Sequence, residues 1–221
     1  MANEVNGRES LNLFLKQHFP ARAGALIEQF DLYANLLFAA NQKVNLVSRR
    51  MSLQDYYLHH FLDSLLAVNC LEIKDGKALD FGSGGGLPGI PIKLIFPQLD
   101  MTLLDSIGKK IRCLQEIVQE MNLQNCKAVC CRLEDFAGGQ KSGKFDYIFC
   151  RSVRLEPAFI RPLAKLLAPS GEVVFYKAKQ LEDVAILPKL KIYDVSREDL
   201  GKRLIVTASK ASLQMYLAER K

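Results

Sequence analysis

A chain of 221 residues, 49% of them apolar, can bury one large core or a core with a small appendage. No apolar run is long enough to span a bilayer, and the polar, charge-mixed N-terminus does not read as a secretory signal. The net charge of +6 is unevenly placed: residues 1–75 carry 7 basic and 8 acidic groups, whereas residues 76–221 carry 23 and 16. A basic surface on the larger part suits a phosphate-rich partner, although many soluble proteins are simply basic.

In chain order, Ser10 is placed to cap a short helix, Leu11–Phe19, that Pro20 ends. Residues 21–40 carry Leu26, Ile27, Phe30, Tyr33, Leu36 and Leu37 at helical spacing and read as an amphipathic helix. The turn-forming run Asn41–Ser48 breaks it. Ser52 with Asp55 forms a capping-box pattern that opens a third helix to about Cys70. His59 and His60 lie on that helix at adjacent positions, which point too far apart to chelate one metal together. One packed and one more exposed histidine is expected, with His60 and Asp63 as a possible polar pair. Residues 1–75 thus read as a helical extension joined to residues 76–221 by Glu72–Gly76.

From residue 77 the pattern alternates. Strands are expected at Ala78–Phe81, Met101–Leu104, Ala128–Cys131, Phe145–Cys150 and Glu172–Tyr176. Helices are expected after the first strand to Phe96, at Lys109–Met121 and at Pro157–Leu167. Leu190–Val195 and Leu204–Ala208 read as a hairpin-like pair. Such alternation implies an α/β fold with a mostly parallel sheet, binding its ligand at the C-terminal edge of the strands. The six cysteines, at 70, 113, 126, 130, 131 and 150, sit in helix-like or strand-like surroundings and read as buried thiols of a cytosolic protein. Cys126, Cys130 and Cys131 have no paired CxxC and no nearby His, so no metal site is expected.

The informative stretch is Asp80-Phe-Gly-Ser-Gly-Gly-Gly-Leu-Pro-Gly-Ile-Pro91, with five glycines in the eight residues 82–89. Strand, glycine turn and helix let backbone approach a nucleotide cofactor closely, and Gly82, Gly84 and Gly86 are spaced for that. An ordinary tight β–α connection would not need so many glycines. Gly84-x-Gly86-x-x-Gly89 formally matches a dinucleotide fingerprint. Pro88 and Pro91 offer no N–H to a phosphate, which favours S-adenosylmethionine (AdoMet). Asp105, 23 positions after Gly82 at the end of the second strand, is placed to accept ribose hydroxyls, or simply to cap the helix that follows. Arg132-Leu-Glu-Asp135 follows strand three, Arg151 follows strand four and Lys177 ends strand five. With Lys109 or Lys110 these cations would make one mouth.

The glycine stretch together with Leu103-Leu-Asp-Ser106, Lys109-Lys-Ile-Arg-Cys-Leu114, Arg132-Leu-Glu134 and Cys150-Arg-Ser152 resembles the bacterial small-subunit ribosomal RNA guanine-N7 methyltransferase family, also called glucose-inhibited division protein B. The resemblance extends to Asn45-Leu-Val-Ser48, His60-Phe-Leu-Asp-Ser64, Phe175-Tyr-Lys177 and Arg203-Leu-Ile-Val206. It implies a seven-stranded, Rossmann-like, class I AdoMet-dependent methyltransferase with an N-terminal helical extension. It places AdoMet at Gly82, Leu87, Asp105, Leu133, Glu134 and Arg151, to which the glycine spacing adds Gly84 and Gly86. Lys109, Lys110 and Arg203 are expected on the RNA side. Arg132, Arg151 and Lys177 would hold phosphate, the guanine O6 edge or the methionine carboxylate. The resemblance further implies 16S rRNA or the small ribosomal subunit as partner; the thiols and the lack of a long apolar run point to a cytoplasmic setting with no membrane, and nothing demands more than a monomer. Two rivals come from other classes. An NAD(P)-dependent oxidoreductase needs a hydride-side Tyr/Lys constellation that is not evident, and a non-catalytic RNA-binding module would not need intact glycines, Asp105 and Glu134.

Overall fold

Seven strands form one sheet: β1 (Lys77–Phe81), β2 (Asp100–Asp105), β3 (Cys126–Cys130), β4 (Phe145–Arg151), β5 (Leu167–Lys177), β6 (Lys191–Asp194) and β7 (Leu204–Ser209). Their order is β3-β2-β1-β4-β5-β7-β6; β1 to β5 are parallel, and β7 runs antiparallel to both β5 and β6. The structure is a computed structural model and describes residues 6–139 and 145–220. The strand order reverses between β1 and β4, so the crevice at their C-terminal ends is where an open α/β sheet binds its ligand.

Alternation along the strands sorts the core into two layers. Ala78, Leu103, Phe149, Val174 and Ile205 face one layer; Leu79, Leu104, Ile148, Phe175 and Val206 face the other. The first layer holds α1 (Gly7–His18), α2 (Ala23–Lys43), α5 (Gly89–Ile95) and α6 (Gly108–Glu120). The second holds α7 (Leu133–Gly139), α8 (Pro157–Leu166) and α9 (Lys210–Ala218). Side chains of the N-terminal helices thus share one apolar cluster with the strands, and Arg22 caps the end of α5 by donating to Leu94 O and Ile95 O at 2.9 and 3.0 Å.

Several elements differ from the expected ones. The first helix is capped by Asn6, whose Oδ1 accepts from Glu9 N at 3.2 Å, and begins four residues before Leu11. α2 runs on through Lys43 because Asn41 turns its carboxamide to the residues that follow instead of ending the helix. The Ser52–Asp55 capping box is present, but the helix it opens is irregular. α3 (Leu53–Asp55) passes into a π-helical segment (Tyr56–Leu62), then α4 (Asp63–Leu65) and a 3-10 turn (Leu66–Asn69). β5 starts at Leu167, five residues early, because Leu167 pairs with Phe145 across a register shift in β4. Arg132 leads into a helix, and Lys210–Ala218 forms α9.

Candidate active site

The glycine turn sits at the switch point between β1 and β4. Gly82, Gly84 and Gly86 take φ of 75°, 57° and 90°, a region closed to most side chains. A Cβ on Gly82 would also collide with Val153, the second residue after β4. Most of the turn's amides are already engaged within the protein. Gly82 and Ser83 both donate to Leu104 O, Gly84 to Asp105 Oδ2, Gly86 and Leu87 to Ser83 O, Gly89 to Asp80 Oδ2, and Ile90 to Gly86 O. A pyrophosphate would need such N–H groups free. A cofactor without phosphate does not, and with only the Gly85 N–H left without a partner among the described residues the turn favours AdoMet over a dinucleotide.

The acidic groups around it fit AdoMet as well. Each Asp105 oxygen accepts one backbone N–H: Oδ2 from Gly84 and Oδ1 from Ile107, at 3.0 and 2.9 Å. One carboxylate therefore shapes the turn and caps the approach to α6, and each oxygen retains a lone pair for a ribose hydroxyl. Asp80 is fully buried under the turn. Its Oδ2 accepts from Ser83 Oγ and Gly89 N, while its Oδ1 is buried without a partner. Burial pushes the Asp80 carboxyl up to about 7. Leu87 and Leu133 are nearly buried, and Glu134 stands exposed on the first turn of α7.

The helical extension grips this turn, a feature that sequence reasoning missed. Tyr33 Oη donates to Gly85 O at 2.6 Å while its ring stacks on Phe61, 4.9 Å between centroids. Leu46 and Val47 lie against Gly84 and Gly85. Asn41, 1% exposed, fixes them: its Oδ1 accepts from the N–H groups of Leu46 and Val47, and its Nδ2 donates to Tyr56 Oη. Tyr33 and Asn41 carried no signal beyond helical periodicity and turn propensity.

The cations share one edge of the sheet without sharing one mouth. Strand order places Arg132 after β3, Lys109 and Lys110 after β2, Arg151 at the end of β4, Lys177 at the end of β5 and Arg203 just before β7. Strands lie about 4.8 Å apart, so Arg132 and Lys177 are separated by roughly 19 Å along the edge. Arg151, Lys177 and Arg203 do meet, around a cavity of about 410 Å³ lined also by Met51, His60 and Asp63. It adjoins a larger cavity of about 960 Å³ that Lys177 and Arg203 also line.

Within this group Arg151 is turned to the helical extension. Its guanidinium donates to His59 O, His60 O and Ser64 Oγ at 2.5, 3.0 and 2.9 Å, and pairs with Asp63 Oδ2 at 2.9 Å. Arg151 thus binds the C-terminal end of the π-helical segment, where His60 O also accepts from Asp63 N and Ser64 Oγ. Asp63 takes a second arginine, Arg203 Nε, at 2.6 Å on its other oxygen. The expected His60–Asp63 pairing therefore runs through Arg151, which lies 3.4 Å from His60 Nδ1. Burial and then the Arg151 charge push the His60 imidazole down to about 4, so it is neutral at physiological pH. Lys177 pairs with Asp183 at 2.5 Å, and the same oxygen accepts from Leu155 N, which ties the exit of β4 to the end of β5. Among the described residues no three His, Cys, Asp or Glu side chains gather into a metal-binding group, and no helix is long and apolar enough to cross a membrane.

Comparison with known proteins agrees with this geometry. Solved structures of similar fold include a predicted O-methyltransferase from Agrobacterium tumefaciens, with TM-score 0.54, 15% identity and coverage of 66% of this chain and 79% of that one. A precorrin-6y C5,15-methyltransferase from Geobacter metallireducens gives TM-score 0.55 at 13% identity over 73% and 91% of the two chains. At such identities the likeness is one of fold, the class I methyltransferase fold. Sequence relatives are closer. The ribosomal RNA small subunit methyltransferase G of Christiangramia forsetii is 37% identical over 148 residues, 66% of this chain and 67% of its own. Its namesake in Desulfitobacterium hafniense is 31% identical over 218 residues, 93% and 87% of the two chains. The family model described as rRNA small subunit methyltransferase G matches residues 26–194, a span that includes the glycine turn, Asp105, Arg151 and Lys177 and begins inside α2, where Tyr33 holds that turn. The chain belongs to this family, GidB.

Proposed function

We infer that the chain methylates N7 of a guanine in small-subunit (16S) ribosomal RNA, and that it acts in the cytoplasm as a monomer on the RNA or the small ribosomal subunit. By family it is an AdoMet-dependent rRNA methyltransferase. The observation that carries the cofactor side of the reading is that nearly all amides of the glycine turn are engaged within the protein, beside a carboxylate with lone pairs to spare.

Bound at this turn, AdoMet supplies an electrophilic methyl carbon on a sulfonium. The residues have a simple task, because guanine N7 already presents a lone pair and no proton has to leave. A general base is unnecessary. Catalysis then rests on alignment. Gly82, Gly84, Gly86 and Leu87 set the floor, Asp105 takes the ribose, and Leu133 with Glu134 borders the adenine. Arg151 holds the wall between this floor and the 410 Å³ cavity. Lys177 and Arg203 line both cavities and suit phosphate or the O6 edge; Arg132, Lys109 and Lys110 extend the basic edge along the RNA. A base in folded RNA must be exposed or turned outwards to enter.

Mass mapping of 16S rRNA from cells lacking this protein tests the reading: one N7-methylguanine should vanish and return when the gene is restored. An unchanged modification pattern would remove the RNA assignment.

A further inference from the structure

We propose that the Ser48–Met51 turn is a second RNA-contact site, in which Arg49 and Arg50 clamp backbone phosphates of the substrate strand beside the cofactor crevice. The inference rests on the rRNA-methyltransferase reading.

The turn closes with Met51 N donating to Ser48 O, which leaves Arg49 and Arg50 at its two central positions, both exposed. Among the described residues neither guanidinium has a hydrogen-bonded or ion-paired partner, unlike Arg151, Arg197 and Arg203. Two adjacent unneutralised guanidinium groups repel each other and gain from an anion shared between them.

Their foundation is rigid. Asn41 fixes Leu46 and Val47, these pack on Gly84 and Gly85, and Ser52 opens the next helix with its capping box. On the inner side, Met51 lines the 410 Å³ cavity together with Arg151, Lys177 and Arg203. The arginine pair therefore stands at the rim where a target nucleotide would enter, on the opposite side of the glycine turn from Lys109 and Lys110. A strand whose base enters the cavity has its neighbouring phosphates within reach of this turn. Guanidinium forks suit phosphate oxygens, and they would bind without reading sequence.

The test measures binding of 16S rRNA and of small subunits to wild-type protein, to Arg49→Ala/Arg50→Ala and to Arg49→Lys/Arg50→Lys across a salt series. The double alanine variant should bind roughly ten-fold more weakly at 0.15 M salt and lose about 1.4 from the slope of log K against log salt. The lysine variant should keep most of that slope. AdoMet affinity, the melting temperature and turnover at saturating RNA should not change. An unchanged salt slope in the alanine variant overturns the proposal. So does a fall in AdoMet affinity, which would assign the pair to the cofactor carboxylate. If wild-type protein neither binds nor methylates either RNA, the enzyme reading itself fails, and the two failures are distinguishable.

Discussion

Replacing Arg151 by Met tests whether the helical extension and the sheet are locked together at one side chain. Met keeps much of the stem's volume and removes the guanidinium. His59 O and Ser64 Oγ lose the donor Arg151 gives them, His60 O loses one of several, and Asp63 loses one of its two arginines. Arg151 and Asp63 side chains are 12% and 10% exposed, so little solvent screens the pair. Breaking a buried pair by removing one partner costs about 3–5 kcal/mol. Because Arg203 still holds the other oxygen of Asp63, the lower end, about 3 kcal/mol, applies. In a chain of 221 residues that corresponds to a melting temperature lower by about 6–12 °C. Urea unfolding with and without AdoMet provides the assay. A loss below about 1 kcal/mol, the range of an exposed ion pair, would refute the reasoning. AdoMet binding and turnover should fall along with stability, since Arg151 ends β4, the strand beside β1 and its glycine turn.

Tyr33→Phe keeps the stacked ring and leaves Gly85 O without its donor, so stability should drop by about 1–3 kcal/mol in thermal unfolding and AdoMet should bind more weakly by calorimetry. Gly82→Ala combines a positive φ, costing about 1–2 kcal/mol, with a clash against Val153, and should abolish AdoMet binding; adding Val153→Ala should recover packing but not binding. Asp80 gives a pH signature. Its folded value, about 7, lies above the unfolded 3.8, so the native state keeps a proton that the unfolded chain releases. Stability is therefore fullest below pH about 4 and declines as pH rises to about 7, by about 4 kcal/mol in all from this group. Asp80→Asn should flatten that decline in denaturant midpoints measured from pH 4 to 8.

The parts legible in the sequence were those with local causes. The β1 glycine turn, the Ser52–Asp55 capping box and the alternation of strand and helix follow from residues close in the chain, and the structure places them as expected. The parts that were not legible depend on distant partners. Tyr56–Leu62 becomes π-helical in company with an arginine some ninety residues later, which no local propensity encodes. Leu167 reads as the last residue of a helix, yet it joins β5 by pairing with Phe145. The cations were visible as residue types on one edge, but only the order β3-β2-β1-β4-β5 shows that Lys177 and Arg132 stand four strands apart.

That order also explains why the helical extension bears on chemistry it does not perform. The turn after β1 is short of side chains by design of its backbone: glycine provides the approach a cofactor needs and contributes nothing to hold itself in place. Its position has to come from elsewhere. Below, Asp80 and Asp105 fix the amides of Gly89 and Gly84; from the side, Tyr33 fixes the carbonyl of Gly85 and Leu46 with Val47 fills the space its missing side chains leave. Because alignment supplies most of the rate when no proton transfer is required, a shift of the extension is a shift of the floor on which the methyl donor lies. Mutations in α2 that never touch substrate should therefore register in turnover, and the same buried contacts make the extension's packing and cofactor affinity two readings of one equilibrium.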